Sequence, residues 1–75
     1  MKAFTLVGVD GNAFSVMGYT ARALKQAGLR DKVDEMQSKA MSGDYNNLLR
    51  VCMEYIDMAN KELGLEEDDE EEDDE

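Results

Sequence analysis

The sequence predicts a mainly helical α+β domain over residues 1–65, followed by a disordered polyacidic tail at 66–75. Three observations predict it. After residue 12, apolar side chains recur at three- and four-residue steps, the period of one helix face. Before it, "KAFTLVGV" (2–9) alternates and is rich in residues that suit a pleated strand. The chain then closes on "EEDDEEEDDE", ten acidic residues in a row.

In the short N-terminal strand, Phe4 and Leu6 would share one face, and Thr5, Val7 and Val9 the other. The stretch "GVDGNAFSVMG" (8–18) that follows admits two readings. Asp10-Gly11 is a strong hairpin turn, after which Phe14 and Val16 would alternate around Ser15. Alternatively, Asn12 caps a helix whose inner stripe is Phe14, Met17, Ala21 and Leu24. The alternation lasts only a few residues, whereas the helical pattern runs on to Gly28, which sits where a left-handed C-cap residue belongs. A helix from Asn12 to about Gly28 is therefore expected.

A second helix is expected at 31–42. Asp31 is its N-cap, Asp34 and Glu35 lie near the positive end of its dipole, and Val33, Met36 and Ala40 form its inner stripe. Within "SGD" (42–44), Gly43 stops this helix and Asp44 caps the next. The third helix then carries a broad apolar face of Leu48, Val51, Cys52, Tyr55, Ile56, Ala59 and Leu63, and Gly64 ends it. "MEYIDM" (53–58) could instead leave the helix as a second short strand. If it stays helical, as the Tyr55, Ile56, Ala59 spacing favours, the first strand has no partner within the chain. Its unpaired backbone groups then predict pairing between two copies, a homodimer.

The net charge of −10 resides in the tail. Ten of the 18 acidic residues lie there, which leaves eight in residues 1–65 against eight Lys and Arg. A formally neutral body has neither the basic stripe that binds phosphate backbones nor the spread negative surface of a nucleic-acid mimic, so direct nucleic-acid binding is disfavoured. One cysteine, no signal-peptide pattern and no apolar run of membrane length point to a reducing cytoplasm and no membrane association. With no histidine and a single thiol, neither a metal site nor a cofactor is expected.

The segments "GNAF" (11–14) and "SGDYNNLL" (42–49) resemble those of a group of small uncharacterised proteins encoded by phages and prophages. In that group a short β segment is followed by the Gly-Asn-Ala-Phe turn, a helix and a later Ser-Gly-Asp-Tyr turn. The resemblance covers roughly residues 3–58 and not the acidic run. It implies an origin in a phage or mobile element and a role in the cytoplasm of an infected bacterium. It brings no activity to assign to particular residues.

Catalysis finds little support. Cys52 falls on an inner stripe with no partner to activate it, and Asp31, Asp34, Asp44 and Asp57 show no spacing that pairs them. Gly18, inside the first helix, suggests close approach of a neighbour. Met17, Met36, Met41, Met53 and Met58 suit either core gaps or an adaptable binding surface. Two functions follow. The first is a non-enzymatic interaction protein that binds and modulates a host protein. The alternative is a small-ligand or nucleotide-signal binder that uses the Gly11–Asn12 helix start, with Tyr19 and Tyr45 as exposed contacts.

Ten adjacent carboxylates repel one another and bury nothing, so the acidic run keeps a neutral body in solution. Deleting residues 66–75 is expected to leave helical circular dichroism and melting temperature nearly unchanged while solubility near neutral pH falls. A large loss of helical signal would show that the run packs against or caps the body.

Overall fold

The computed structural model describes residues 3–65, and the acidic run lies outside them. Three helices form: α1 (Ala13–Gln26), α2 (Lys32–Ala40) and α3 (Tyr45–Leu63). Each packs against the other two. Leu24, Met36, Cys52 and Ala59 meet in one core with essentially no exposure.

The helix boundaries follow from local chemistry. Asn12 is the N-cap of α1, and its side-chain oxygen accepts from the Phe14 and Ser15 N–H groups. The helix reading of "GNAF" therefore holds over the hairpin. At the other end, Gly28 takes φ 77°, the left-handed conformation that costs glycine nothing. This lets the Leu29 N–H reach the Leu24 carbonyl at 2.8 Å and the Gly28 N–H reach Lys25 at 3.1 Å. Those two bonds are a Schellman motif. Asp31 precedes α2 as expected, but its side chain makes no capping bond. The Asp44 carboxylate caps α3 by accepting from Asn47 N–H at 2.9 Å, and Gly64 ends the helix at φ 73°.

No strand forms among the described residues, which corrects the expected α+β class to all-helical in this region. Residues 53–58 lie within α3. The N-terminal segment finds side-chain partners in place of a neighbouring strand. Phe4 N–H donates to Asn60 Oδ1 at 2.8 Å, and Asn60 Nδ2 returns a bond to the Phe4 carbonyl at 3.0 Å. Thr5 N–H donates to the Tyr19 hydroxyl at 2.9 Å, and Val7 N–H to Thr5 Oγ1 at 3.3 Å. A turn through Gly8 then returns the Val9 N–H to the Leu6 carbonyl. The unpaired edge that suggested a homodimer through this strand is therefore not present.

Two apolar side chains depart from their expected faces. Phe14 is 76% exposed, because the buried arc of α1 is centred on Thr20, with Val16, Met17, Ala21, Ala23 and Leu24 around it. Six residues separate Phe14 from Thr20, about 120° around the helix. Thr20 tolerates full burial because its hydroxyl donates to the Val16 carbonyl at 2.9 Å. On α3, Leu63 is 38% exposed, while Asn60 is buried on the side that faces the N-terminal segment. Gly18 is also corrected: it is exposed, and nothing lies near the position its Cβ would take.

Replacing Asn60 with alanine leaves the Phe4 N–H and carbonyl without protein partners. The expected cost is about 1–3 kcal/mol, the range for unsatisfied buried polar groups. Thermal unfolding should show a lowered midpoint, and hydrogen exchange should show faster exchange at the Phe4 amide. An unchanged midpoint would mean that the segment is held by apolar contact alone.

Candidate functional site

The residues singled out from the sequence fall into two places. Gly11, Asn12 and Tyr45 come together where the start of α1 meets the start of α3. There the Tyr45 hydroxyl donates to the Gly11 carbonyl, so "GNAF" and "SGDY" are joined directly. Tyr19 stands apart. It accepts from Thr5 N–H, and its ring meets Phe4 edge-on, with centroids 5.8 Å apart and planes at 73°.

The donors at the start of α1 are largely engaged by the chain's own oxygens. Asn12 N–H donates to Asp10 Oδ1 at 3.1 Å, and the Phe14 and Ser15 N–H groups share Asn12 Oδ1. The Asp10 carboxylate thus places a negative charge beside the positive helix pole, which disfavours an incoming anion.

The second motif is a joint between helices. Asn47 Nδ2 donates to the Lys39 carbonyl at 2.9 Å and to Ala40 at 3.4 Å, so a side chain from the first turn of α3 caps the end of α2. The Ser42 hydroxyl adds a bond to Lys39 at 2.7 Å. Asn47 approaches so closely that a Cβ on residue 43 would lie 3.0 Å from its Cβ and Cγ, which is why glycine stands there. Sequence spacing revealed the Asp44 cap but not the reciprocal role of Asn47.

A tyrosine and a carboxylate link α3 to α2. Tyr55 Oη donates to Glu35 Oε2 at 2.5 Å, tying α3 to α2. This bond, with the Lys32 and Lys39 ammoniums nearby, holds the Glu35 carboxyl below its ordinary value. Burial, reinforced by the same bond to Glu35, raises the Tyr55 phenol. Burial also pushes the Cys52 thiol up, away from the reactive thiolate. Among the described residues, no group of three or more carboxylates and thiols could hold a metal ion, and no helix is long and apolar enough to cross a membrane.

The surface of the described residues includes two apolar grooves. One, about 520 Å³, runs between the N-terminal segment and α3, lined by Phe4, Leu6, Val7, Leu49, Met53 and Ile56. The other, about 300 Å³, lies over the motif joint, with Phe14, Met41 and Tyr45 around it. The methionines divide accordingly: Met17 and Met36 fill the core, while Met41 and Met53 are mostly exposed beside the grooves. Comparison with known protein families, curated proteins and solved structures gives no match.

A carboxyl held below its ordinary value stabilises the fold above the ordinary carboxylate range, and the contribution is lost as pH falls through the lowered value. Glu35→Gln is therefore expected to reduce the melting temperature at pH 7, with the gap to the native chain closing towards pH 3. A gap independent of pH would show that the charge of Glu35 contributes nothing.

Proposed function

We propose that this is a non-enzymatic interaction protein, of phage or mobile-element origin, that binds and modulates a protein of the infected bacterium. The observation that carries the reading is the exposure of large apolar side chains beside preformed grooves. Val7 is 85% exposed, Phe14 76%, Met41 66% and Met53 59%. Burying each on association would be favourable by about 25 cal/mol per Å² of apolar surface. The thioethers of Met41 and Met53 suit an adaptable contact.

The polar groups support the same reading. The hydrogen bonds of Asn12, Asp44, Asn47, Tyr45, Tyr55 and Asn60 run to the chain's own groups. The alternative, a small anionic ligand at the Gly11–Asn12 helix start, has Asp10 against it. The phage origin rests on the resemblance of "GNAF" and "SGDYNNLL", and the bacterial cytoplasm as the setting follows from it.

The test is capture of full-length protein from a bacterial lysate, followed by mass spectrometry. The comparison is a variant carrying Phe14→Ser and Met53→Ser, two exposed changes that spare the core. One bacterial protein is expected to be retained in near-stoichiometric amount by the native chain and lost with the variant. Equal retention by both, or retention of nothing, would refute the proposal.

A further inference from the structure

The three-helix body closes without the N-terminal segment. Every residue of its buried core comes from α1, α2 or α3, whereas Phe4 and Leu6 pack against that core and stay half-buried. The helix caps at Asn12, Gly28, Asp44, Asn47 and Gly64 are likewise internal to the body.

Residues 3–9 are attached by less. Among the described residues, no backbone–backbone bond joins them to a helix. Three bonds reach the body: two between the Asn60 carboxamide and Phe4, and one from the Thr5 N–H to the Tyr19 hydroxyl. The Val7 and Val9 N–H groups bond within the segment, to Thr5 Oγ1 and the Leu6 carbonyl. When the segment lifts, water takes up the polar groups that it frees, so each of the three bonds opposes lifting only weakly. Beyond the segment's last apolar contact with the groove, at Val7, stands Gly8, exposed and at φ 86°. Nothing lies within 4 Å of the position its Cβ would take, so backbone rotation there meets no obstacle from the body.

What the segment covers is a particular side chain. Ile56 is buried yet lies outside the three-helix core, and Phe4, Leu6 and Val7 line the groove beside it. Leu49, Met53 and Ile56 follow one another at i, i+4 and i+7, a single stripe along α3. Met53 is already 59% exposed, so Ile56 is the part of this stripe that the segment conceals.

We infer that residues 3–9 form a strap that opens as one unit about Gly8 while the three helices stay folded, with Asn60 and Tyr19 as its latch. Opening uncovers Ile56 and completes the stripe of Leu49, Met53 and Ile56; closing hides it. Few contacts and side-chain bonds alone put the strap at the low end of local opening free energies, well below global unfolding. The device goes beyond the interaction function proposed above and stands or falls without it.

Thiol labelling of full-length chains tests the strap. Three single-thiol proteins react with a small aromatic disulfide over a series of urea concentrations. They are the native chain, whose Cys52 lies in the core, Cys52→Ala/Ile56→Cys, and Cys52→Ala/Met53→Cys. Circular dichroism verifies that each keeps its helices. The thiol at position 56 is expected to react at least tenfold more slowly than the one at 53 and at least tenfold faster than Cys52. Its urea dependence should be much shallower than that of Cys52, because strap opening exposes less surface than unfolding. A second measurement uses full-length Tyr19→Phe, which removes the latch hydroxyl and keeps the ring against Phe4. Amide exchange at Phe4 should quicken about threefold to tenfold there, although its own partner Asn60 is untouched.

Labelling at position 56 with the rate and urea slope of Cys52 would overturn the inference, because the segment would then leave only on global unfolding. Labelling as fast as at position 53 would overturn it too, since Ile56 would not be covered. So would unchanged exchange at Phe4, since the residues would then open one by one. If the Ile56→Cys chain does not fold, exchange at Phe4 and Thr5 in the native chain is followed over the same urea series against the Leu24 and Cys52 amides. Shallower slopes at Phe4 and Thr5 support the strap, and equal slopes overturn it.

Discussion

The carboxamide of Asn60 joins the N-terminal segment to α3 through two hydrogen bonds to one residue. It is buried on α3, accepts from the Phe4 N–H and donates to the Phe4 carbonyl. An amide side chain that presents one donor and one acceptor to a single residue does what an adjacent strand would do. The segment that reads as a strand can therefore lie on a helix, with the Phe4, Thr5 and Val7 N–H groups bonded to side chains. Tyr19 extends the arrangement by one residue, taking the Thr5 N–H while its ring packs against Phe4. With the segment fixed in this way, Ile56 is covered, and the groove beside it has two walls.

The rest of the small fold depends on helix ends that satisfy one another. A chain this short has little core with which to offset unpaired polar groups. Here the first turn of α3 serves two helices at once: Asp44 caps α3, and Asn47 caps α2. Tyr45 reaches from the same turn to Gly11 at the entrance to α1. One six-residue segment, "SGDYNN" (42–47), thus fixes the relative positions of all three helices, and the close contact between Gly43 and Asn47 sets its shape. The segments "GNAF" and "SGDY" supply the Tyr45–Gly11 contact of this joint.

This use of polar groups determines what the surface has left to offer. The side chains best suited to ligand chemistry are engaged in caps or in the Tyr55–Glu35 contact, and Cys52 is sealed in the core. Beside the grooves, apolar side chains stay exposed: Val7, Phe14, Met41 and Met53. They sit on a body whose charges balance, ahead of a strongly acidic run.

The sequence by itself determined the three helices, their caps at Asn12 and Asp44 and most of the α3 face. These rest on interactions a few residues apart: side-chain caps, glycine conformations and the 3.6-residue period. Tertiary structure decided the fate of residues 3–9, because whether a β-prone segment finds a strand or a side-chain partner depends on Asn60, 56 positions from Phe4. It also decided that Phe14 faces outward. The arc that α1 buries is set by its neighbours, and Thr20 could join that arc only because its hydroxyl is satisfied within the helix. The joint through Asn47 and Tyr45 was equally hidden, since a polar side chain in a first turn reads as surface until another helix end is brought against it. Local periodicity records which residues can be buried together, but it carries no information about which distant group will meet them.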